Sequence, residues 1–381
     1  SIQDNSIRPP SVLVSELLDY IEEGFEVPGK EILDHIVTKH RLQAFNPEYF
    51  KKMGKLISYS RENFEAARMA QNPNKEIKLF IERRLLEPPE GWKTVDVNQL
   101  CRFFTNPARS FLTQRLGIYL KEEEALFDET EPFDVKDLER YHLEQELVER
   151  GFERRILEDF FEAVKASGQL PHGVPGECFF RETCRGIDSF LCRLASYREG
   201  TLLEPLDVDL RLGEFRLVGS IESVYTNGLL HFRYADVKPR DRLRIWIHHL
   251  ILNKVRNQTY PCNGILACKD FDCKYSPVRE SNALLKDLLE AYWQGLMEPI
   301  HFFPLSSWKY AEEMAKGKGP DQALRSARSI WEGSDFNRGE IEDAYYQVCF
   351  QHADPLDKEF KKLSKSIFQP LIECEEKIKN G

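Results

Sequence analysis

A change in the spacing of apolar residues over 202–237 constrains the fold of this chain more than any other feature. Upstream the spacing is helical, whereas here it becomes the alternation of half-buried strands. Three extended runs share this alternation, namely residues 202–212, 215–224 and 229–237. Gly213-Glu214 and Asn227-Gly228 mark the turns between them, and Asn-Gly is a strong hairpin signal. The sequence therefore predicts three neighbouring strands of one mixed sheet.

Helices are predicted on both sides of these strands. Asp96 is in position to cap a helical segment over 96–116 that is interrupted at Asn106-Pro107. A second helix is predicted over 242–254, and the remainder of the chain is mostly helical. Strands inserted among many helices indicate an α/β or α+β fold, with a mixed sheet flanked by helices.

Pro88-Pro89 is the strongest candidate for a domain boundary, because the polar stretch before it lacks a clear period. We expect residues 1–90 to form a lead-in segment and linker, and residues 91–381 to form the main domain. The length of 381 residues, with 41% hydrophobic content, suits one large domain or two ordinary ones. Residue 1 is Ser and not Met, so we expect the chain to be a fragment.

The net charge of −10 is unevenly distributed along the chain. Residues 121–164 carry 16 acidic and 6 basic side chains, whereas residues 211–256 carry 9 basic and 4 acidic ones. This asymmetry is compatible with one face toward phosphate groups and another toward water or a partner. The first residues do not have the pattern of a signal peptide, and no apolar run approaches the roughly 18 residues of a membrane span, so we expect a cytoplasmic protein.

Nine scattered cysteines fit a reducing compartment better than a disulfide framework. Three of them, Cys262, Cys268 and Cys273, lie within 12 residues, with Cys192 and His249 as the nearest upstream candidates for a metal ligand. Zinc sites usually contain a C-x-x-C pair, which these spacings lack. We therefore interpret these cysteines as ordinary buried or loop thiols.

Two carboxylates and a lysine at the ends of the second and third predicted strands form a candidate catalytic site. The second run contains G-x-x-E ending at Glu222, and the third ends in D-x-K at Asp236 and Lys238. A period of two places Asp236 and Lys238 on the same face. Carboxylates are ligands that Mg²⁺ prefers, and a lysine would stabilise charge on an attacked phosphate. The pattern is typical of a metal-dependent nuclease, although solvated charges at an exposed strand end give the same pattern.

Four cations at the start of the following helix are candidates for DNA contact: Lys238, Arg240, Arg242 and Arg244. At about 100° per residue, Arg240 and Arg244 share a face, whereas Arg242 lies roughly 200° from Arg240. The apolar face of the helix defines its buried side. We expect Arg240 and Arg244 to contact phosphates beside that face, and Arg242 to face water.

Several segments resemble the C-terminal part of RecC, the gamma subunit of exodeoxyribonuclease V. The resemblance begins in residues 9–20 and 40–50 and is clearest in Leu100-Cys-Arg-Phe-Phe-Thr-Asn-Pro-Ala-Arg-Ser-Phe-Leu112. The later matches are residues 131–133, 138–141, 236–250, 295–304, 343–346, 354–357 and 368–371. Their order and number cover nearly the whole chain.

The resemblance implies a subunit of a RecBCD-type helicase–nuclease, which acts in double-strand break repair by homologous recombination. RecC-like proteins split the duplex, channel the strands and hold RecB and RecD together. The expected partners are therefore RecB-like and RecD-like subunits and double- and single-stranded DNA. The resemblance also implies a nuclease-like domain with a restriction-endonuclease-like mixed sheet over 91–381, preceded by a segment from an upstream helicase-like part.

The same family resemblance implies a degenerate nuclease site. Active RecB-type domains show G-x-x-D, D-x-K and an upstream helical histidine. Here Glu222 replaces the first Asp, Asp236 and Lys238 fit the pattern, and His142 lies roughly where the histidine falls, without the expected preceding glycine. The extra methylene of Glu222 displaces a ligand by about 1 Å, which Mg²⁺ tolerates poorly. Mg²⁺ is therefore possible at this site but not expected, and ATP would be used by the partner subunits.

Three functions are compatible with the sequence. The favoured one is a non-catalytic scaffold that binds DNA and partner subunits. The second is a metal-dependent DNase that uses Glu222, Asp236 and Lys238. The third is a protein-interaction domain without DNA contact, suggested by the acidic stretch. Because the chain lacks a G-x-x-x-x-G-K-[ST] loop, we do not expect it to be an ATP motor itself.

Overall fold

The computed structural model describes residues 10–51, 54–70, 80–81, 83–120, 137–153, 156–255, 260–334, 337–351 and 353–379. Two compact units are present, Ser1–Ile77 and Lys78–Gly381. Leu85 belongs to the second unit, where its amide donates a hydrogen bond of 2.9 Å to the carbonyl of Met297. The sequence suggests a boundary at Pro88-Pro89, whereas the two units divide before that position.

The described part of the first unit has three short α-helices and few buried residues. They are α1 (Val12–Gly24), α2 (Ile32–Ile36) and α3 (Arg61–Ala70). α1 begins after Ser11, whose side chain makes no capping hydrogen bond. Among the described residues of this unit, Leu56 and Ala67 are the buried hydrophobic ones.

The second unit contains a three-stranded sheet built on the first two predicted runs. Its strands are β1 (Thr94–Asp96), β2 (Leu206–Leu212) and β3 (Phe215–Ile221). β2 and β3 form an antiparallel hairpin, and β1 pairs in parallel with β3. Gly213 closes the hairpin at a φ of 66°, a left-handed conformation that glycine adopts without strain.

The third predicted run lies in a second, five-stranded sheet of order β10-β7-β6-β5-β4. Its strands are β4 (Val224–Tyr225), β5 (Gly228–Arg233), β6 (Gly264–Cys268), β7 (Phe271–Tyr275) and β10 (Glu375–Lys379). The Asn227-Gly228 hairpin is confirmed, because it joins β4 to β5. The prediction of one sheet for all three runs is wrong. Ser223 has a φ of 60°, and this left-handed residue redirects the chain from β3 into the other sheet.

Eleven α-helices lie in the described part of the second unit. They are α4 (Val97–Thr105), α5 (Pro107–Ser110), α6 (Asp137–Phe152), α7 (Phe161–Ala166), α8 (Val174–Tyr197), α9 (Pro239–Val255), α10 (Ser281–Gly295), α11 (Pro304–Ala315), α12 (Pro320–Glu332), α13 (Ala344–Phe350) and α14 (Lys358–Cys374). A short hairpin of β8 (Gly333–Ser334) and β9 (Asn337–Arg338) follows α12. The α+β class is confirmed, and the more specific restriction-endonuclease-like assignment stays a prediction.

Local capping signals explain where two of these helices begin. The Asp96 carboxylate accepts hydrogen bonds from the amides of Asn98 (2.9 Å) and Gln99 (3.1 Å), as the sequence predicted for α4. Asn106 then interrupts the helical segment and accepts from the Arg109 amide at 2.9 Å, which starts α5.

α9 is the central helix of the second unit. It connects β5 to β6, which pair in parallel, so β5-α9-β6 is a crossover unit. Buried apolar residues lie on almost every side of it, among them Leu243, Ile245, Trp246, Ile247, Leu250, Ile251 and Leu252. Neighbouring elements therefore cover most of the surface of α9, which is not an amphipathic helix with one solvent-exposed face. No helix in the described parts of the chain is long and apolar enough to cross a bilayer.

Candidate functional site

A cavity of about 280 Å³ lies where the chain passes from one sheet to the other, and we call it the seam pocket. Its lining comes from the link after β3, from β5 and β6, and from one face of α9. The residues are Glu222, Ser223, Leu230, His231, Phe232, Arg233, Asp241, Arg244, His248 and Leu266. The three residues from α9 recur at helical spacing, which places their side chains on one stripe. The pocket thus lies between the second and third runs and the following helix.

Only one of the two predicted carboxylates lines this pocket. Glu222 follows β3, is exposed, and has no hydrogen-bond or ion-pair partner in the described chain. Asp236 is exposed in the loop after β5, which ends at Arg233, and it does not line the seam pocket. The prediction that Asp236 and Lys238 share a strand face is therefore wrong, because no strand continues past Arg233.

Arg233 is the last residue of β5. The Arg233 guanidinium donates a hydrogen bond of 2.7 Å to Asp241, and both side chains are largely buried. The same Asp241 oxygen accepts from the Lys238 amide at 3.0 Å, which fixes the first turn of α9. Since its charge is neutralised by Arg233, Asp241 is not a free ligand for a metal ion.

Two histidines form the wall of the seam pocket. Nδ1 of His248 lies 3.1 Å from Nε2 of His231, and the rings meet edge to face. Burial, assisted by the charge of Arg244, lowers the pKa of His248 to about 4. Burial also lowers the pKa of His231, so both rings are neutral near pH 7. The Nε2 atom of His248 is buried and has no hydrogen-bond partner among the residues that the structure describes.

His142 lies on α6 and is exposed, outside the lining of the seam pocket. Its neighbour Tyr141 approaches the site instead, because its hydroxyl accepts a hydrogen bond of 3.4 Å from Nε of Arg233. The position suggested by the family resemblance therefore lies on α6, one residue from the side chain that contacts Arg233.

The three arginines of α9 have three different environments. Arg240 is exposed and lines a second cavity of about 640 Å³ together with Lys238. Arg244 is exposed and lines the seam pocket. Arg242 is buried, which contradicts the expectation that it faces water. The reason is that α11 and β10 cover this flank of α9.

The burial of Arg242 is compensated by specific contacts. Its Nε atom donates to Glu375 of β10 at 2.8 Å, and its guanidinium lies 4.3 Å from the ring centre of Trp308 on α11. The hydroxyl of Tyr275 also donates to Glu375, at 2.9 Å. Arg242 therefore has a structural role and is withdrawn from the predicted set of DNA-binding residues.

The cysteine cluster is not a metal centre in the described part of the chain. Cys268 and Cys273 are buried on β6 and β7, where burial raises the pKa of the Cys273 thiol to about 12. Cys262 is partly exposed and unpaired by any disulfide. Among the described residues, no group of three or more His, Cys, Asp or Glu side chains is arranged to hold a metal ion.

A model of the RecC C-terminal domain family matches residues 92–315, which is more than half of the chain. The chain belongs to this family. Among curated relatives, it is similar to the RecBCD enzyme subunit RecC of Escherichia coli (strain K12), at 29% identity over 93% of this chain and 32% of the relative. The corresponding subunit of Buchnera aphidicola (Schizaphis graminum) is 25% identical over 99% of this chain and 36% of the relative. That of Haemophilus influenzae is 26% identical over 78% of this chain and 26% of the relative.

This RecC C-terminal domain chain spans about a third of the length of the curated relatives that it matches. The family match includes β2 to β7 and α9, and hence the whole seam pocket.

Sequence reasoning missed His231, His248 and Arg233 as members of this site. A signal for His248 was present, because it follows Arg244 by four residues and so shares its helix face. No comparable signal marked Arg233, since the end of β5 was predicted four residues too late.

Proposed function

We propose that this chain is a non-catalytic DNA-handling and scaffold domain of a RecBCD-type helicase–nuclease. Such an assembly would act in double-strand break repair by homologous recombination in the bacterial cytoplasm, with ATP used by partner subunits. The observation that carries the proposal is the set of charged side chains that line the seam pocket. One free carboxylate, Glu222, shares this lining with the guanidinium groups of Arg233 and Arg244. The name of the relatives, RecBCD enzyme subunit RecC, supports such an assembly.

The chemistry of the seam pocket argues against metal-dependent hydrolysis. Mg²⁺ is bound through oxygen ligands in near-ideal octahedral geometry, usually with one or two protein carboxylates and the substrate phosphates. Here Asp241 is held by Arg233, Asp236 lies outside the pocket, and Glu222 alone remains. The residues present therefore do not fit a catalytic Mg²⁺, and the DNase alternative is not favoured.

DNA contact is supported by the free charges around the start of α9. The side chains of Lys238 and Arg244 have no ion-pair partner in the described chain. Arg240 is half exposed, and its nearest acidic atom, Oδ1 of Asp241, lies 3.9 Å from Nε. Cations that are not neutralised within the protein are available to phosphate groups. They would take part in splitting the duplex and channelling its strands.

A scaffold role is supported by exposed apolar side chains on α1. The helix has no buried residue, and Leu13, Leu17 and Tyr20 are 79%, 57% and 69% exposed. Contiguous exposed apolar surface on a folded protein usually marks an interaction site. RecB-like and RecD-like subunits are the proposed partners.

A salt titration of DNA binding tests the proposed function. In the reconstituted complex, we expect Arg240→Ala/Arg244→Ala to lower the slope of log affinity against log salt by about two units, without a change in sequence preference. The matched control is Arg185→Ala/Arg325→Ala, which removes two exposed arginines from α8 and α12. If both variants behave like the parent protein, the interaction-domain alternative replaces the DNA-handling proposal.

A nuclease assay separates the proposal from the DNase alternative. We expect no hydrolysis of linear DNA by the chain in Mg²⁺ or Mn²⁺. Hydrolysis that is lost in both Glu222→Gln and Asp236→Ala would establish the DNase function instead.

A further inference from the structure

α14 carries four lysines on one face in its first eight residues: Lys358, Lys361, Lys362 and Lys365. At about 100° per residue they lie within an arc of about 100°. The rest of the helix surface is largely buried, through Phe360, Leu363, Ile367, Phe368 and Leu371. Three of the lysines are exposed and Lys361 is partly exposed. We call this face the lysine stripe.

The lysine stripe is not neutralised by the protein itself. None of its four ammonium groups has an ion pair or a hydrogen bond with another residue in the described chain. Several lysines elsewhere in the same unit do have carboxylate partners, among them Lys93, Lys286, Lys309, Lys316 and Lys318. The chain has ten more acidic than basic side chains, so this cluster of unpaired positive charge runs against its overall balance.

The arrangement also costs helix stability. Lys358 and Lys362, like Lys361 and Lys365, are four residues apart, and like charges at this spacing repel each other. Asp357 caps the helix by accepting from the amides of Glu359 (2.9 Å) and Phe360 (3.1 Å), so Lys358 and Lys361 lie in the first turn, where the helix dipole disfavours cations. Residues that break local rules in several ways at once are expected where function requires them.

We propose that the lysine stripe is a second DNA-contacting surface, which binds the phosphate backbone through charge alone. Lysine is a point-charge donor well suited to phosphate oxygens. The eight residues of the stripe extend over roughly 10 Å along the helix axis, long enough to face several successive phosphates. This proposal rests on the proposed function in one respect, namely that the polyanion bound by the stripe is DNA.

An acidic protein surface is the other polyanion that would fit the stripe. Protein interfaces are depleted in lysine and contain an apolar core. α14 presents no large exposed hydrophobic residue in the described chain. The stripe therefore favours nucleic acid over a protein partner.

The test is DNA affinity across salt for the 381-residue chain, with labelled duplex and single-stranded oligonucleotides. Lys358→Gln/Lys362→Gln/Lys365→Gln is expected to lower the log–log salt slope by about three units, one for each lost contact. The corresponding Lys→Arg triple variant keeps the charge and should keep the slope. The matched control neutralises three lysines on three different elements, Lys165, Lys274 and Lys286, and should also keep the slope.

The outcomes decide between the alternatives. An unchanged slope in the stripe variant, or an equal loss in the scattered control, would overturn the proposal. So would a loss of binding to polyglutamate with DNA binding intact, which would indicate an acidic protein partner. A loss in the stripe variant without one in Arg240→Ala/Arg244→Ala would support the stripe and reject the arginine contacts of the proposed function. Melting curves show that each variant is folded.

Discussion

Nε of Arg242 donates a hydrogen bond of 2.8 Å to the carboxylate of Glu375, and the two side chains are only 4% and 3% exposed. The pair joins α9 in the middle of the second unit to β10, the strand at one edge of the five-stranded sheet. It is a buried ion pair enclosed by aromatic rings, and it ties two elements that are more than a hundred residues apart in sequence.

Removal of one partner of this pair should be strongly destabilising. Glu375→Gln leaves the Arg242 guanidinium buried without a counter-charge, and we expect a loss of about 3–5 kcal/mol in the free energy of unfolding. Urea unfolding followed by circular dichroism measures it. Arg216→Ala removes an exposed ion pair with Asp209 and should change stability far less. Similar losses in the two variants would contradict the structural role of the buried pair.

Stability should fall in mild acid because of the buried histidines. Burial lowers the pKa of His248 and His249 from 6.5 to about 4 in the folded protein. Between pH 6.5 and 4 the unfolded chain binds these protons and the folded chain does not, so stability is lost as pH falls through this window. For His248 alone the loss is about 3 kcal/mol.

The check is the urea midpoint measured from pH 7 to pH 4.5. His248→Gln should weaken this dependence, whereas His142→Gln, at an exposed position on α6, should leave it as in the parent protein. Equal pH dependence in His248→Gln and the parent would show that His248 does not titrate as its burial predicts.

α10 and α4 approach each other closely at Gly295, so a larger residue there should destabilise the protein. A Cβ atom on Gly295 would overlap the ring of Phe103, which is fully buried. We expect Gly295→Ala to destabilise the protein by about 1–3 kcal/mol through overpacking. Gly91→Ala is the control, since nothing lies within 4 Å of the added Cβ atom there. Thermal unfolding of the two variants measures the difference, and equal melting temperatures would contradict the close packing.

The lysine stripe should lower the thermal stability of the protein. Replacing Lys358, Lys362 and Lys365 by Gln removes the i,i+4 repulsion and the unfavourable interaction with the helix dipole. We therefore expect this variant to melt higher than the parent protein, by roughly 2 °C at low salt. The gain should shrink in high salt, because screening already weakens both effects in the parent. A lower melting temperature would mean that the lysines stabilise α14.

The local elements followed from the sequence. Asp96, Asn106-Pro107 and Asn227-Gly228 mark a helix start, a helix interruption and a hairpin, and the structure has all three features. These signals are reliable because a capping carboxylate or an Asn-Gly turn acts on backbone groups within a few residues. The family resemblance, carried by ordered short matches along the chain, is likewise confirmed.

The tertiary structure alone decided how these elements combine into a site. A left-handed Ser223 separates the third run from the first two, β5 ends at Arg233, and Arg242 is buried by β10 and α11. Each outcome depends on residues far apart in the chain, such as Glu375 for Arg242 and Asp241 for Arg233. The spacing of apolar residues along the chain indicates whether a segment is a strand or a helix. Which face of that strand or helix is exposed to solvent depends on the elements that pack against it.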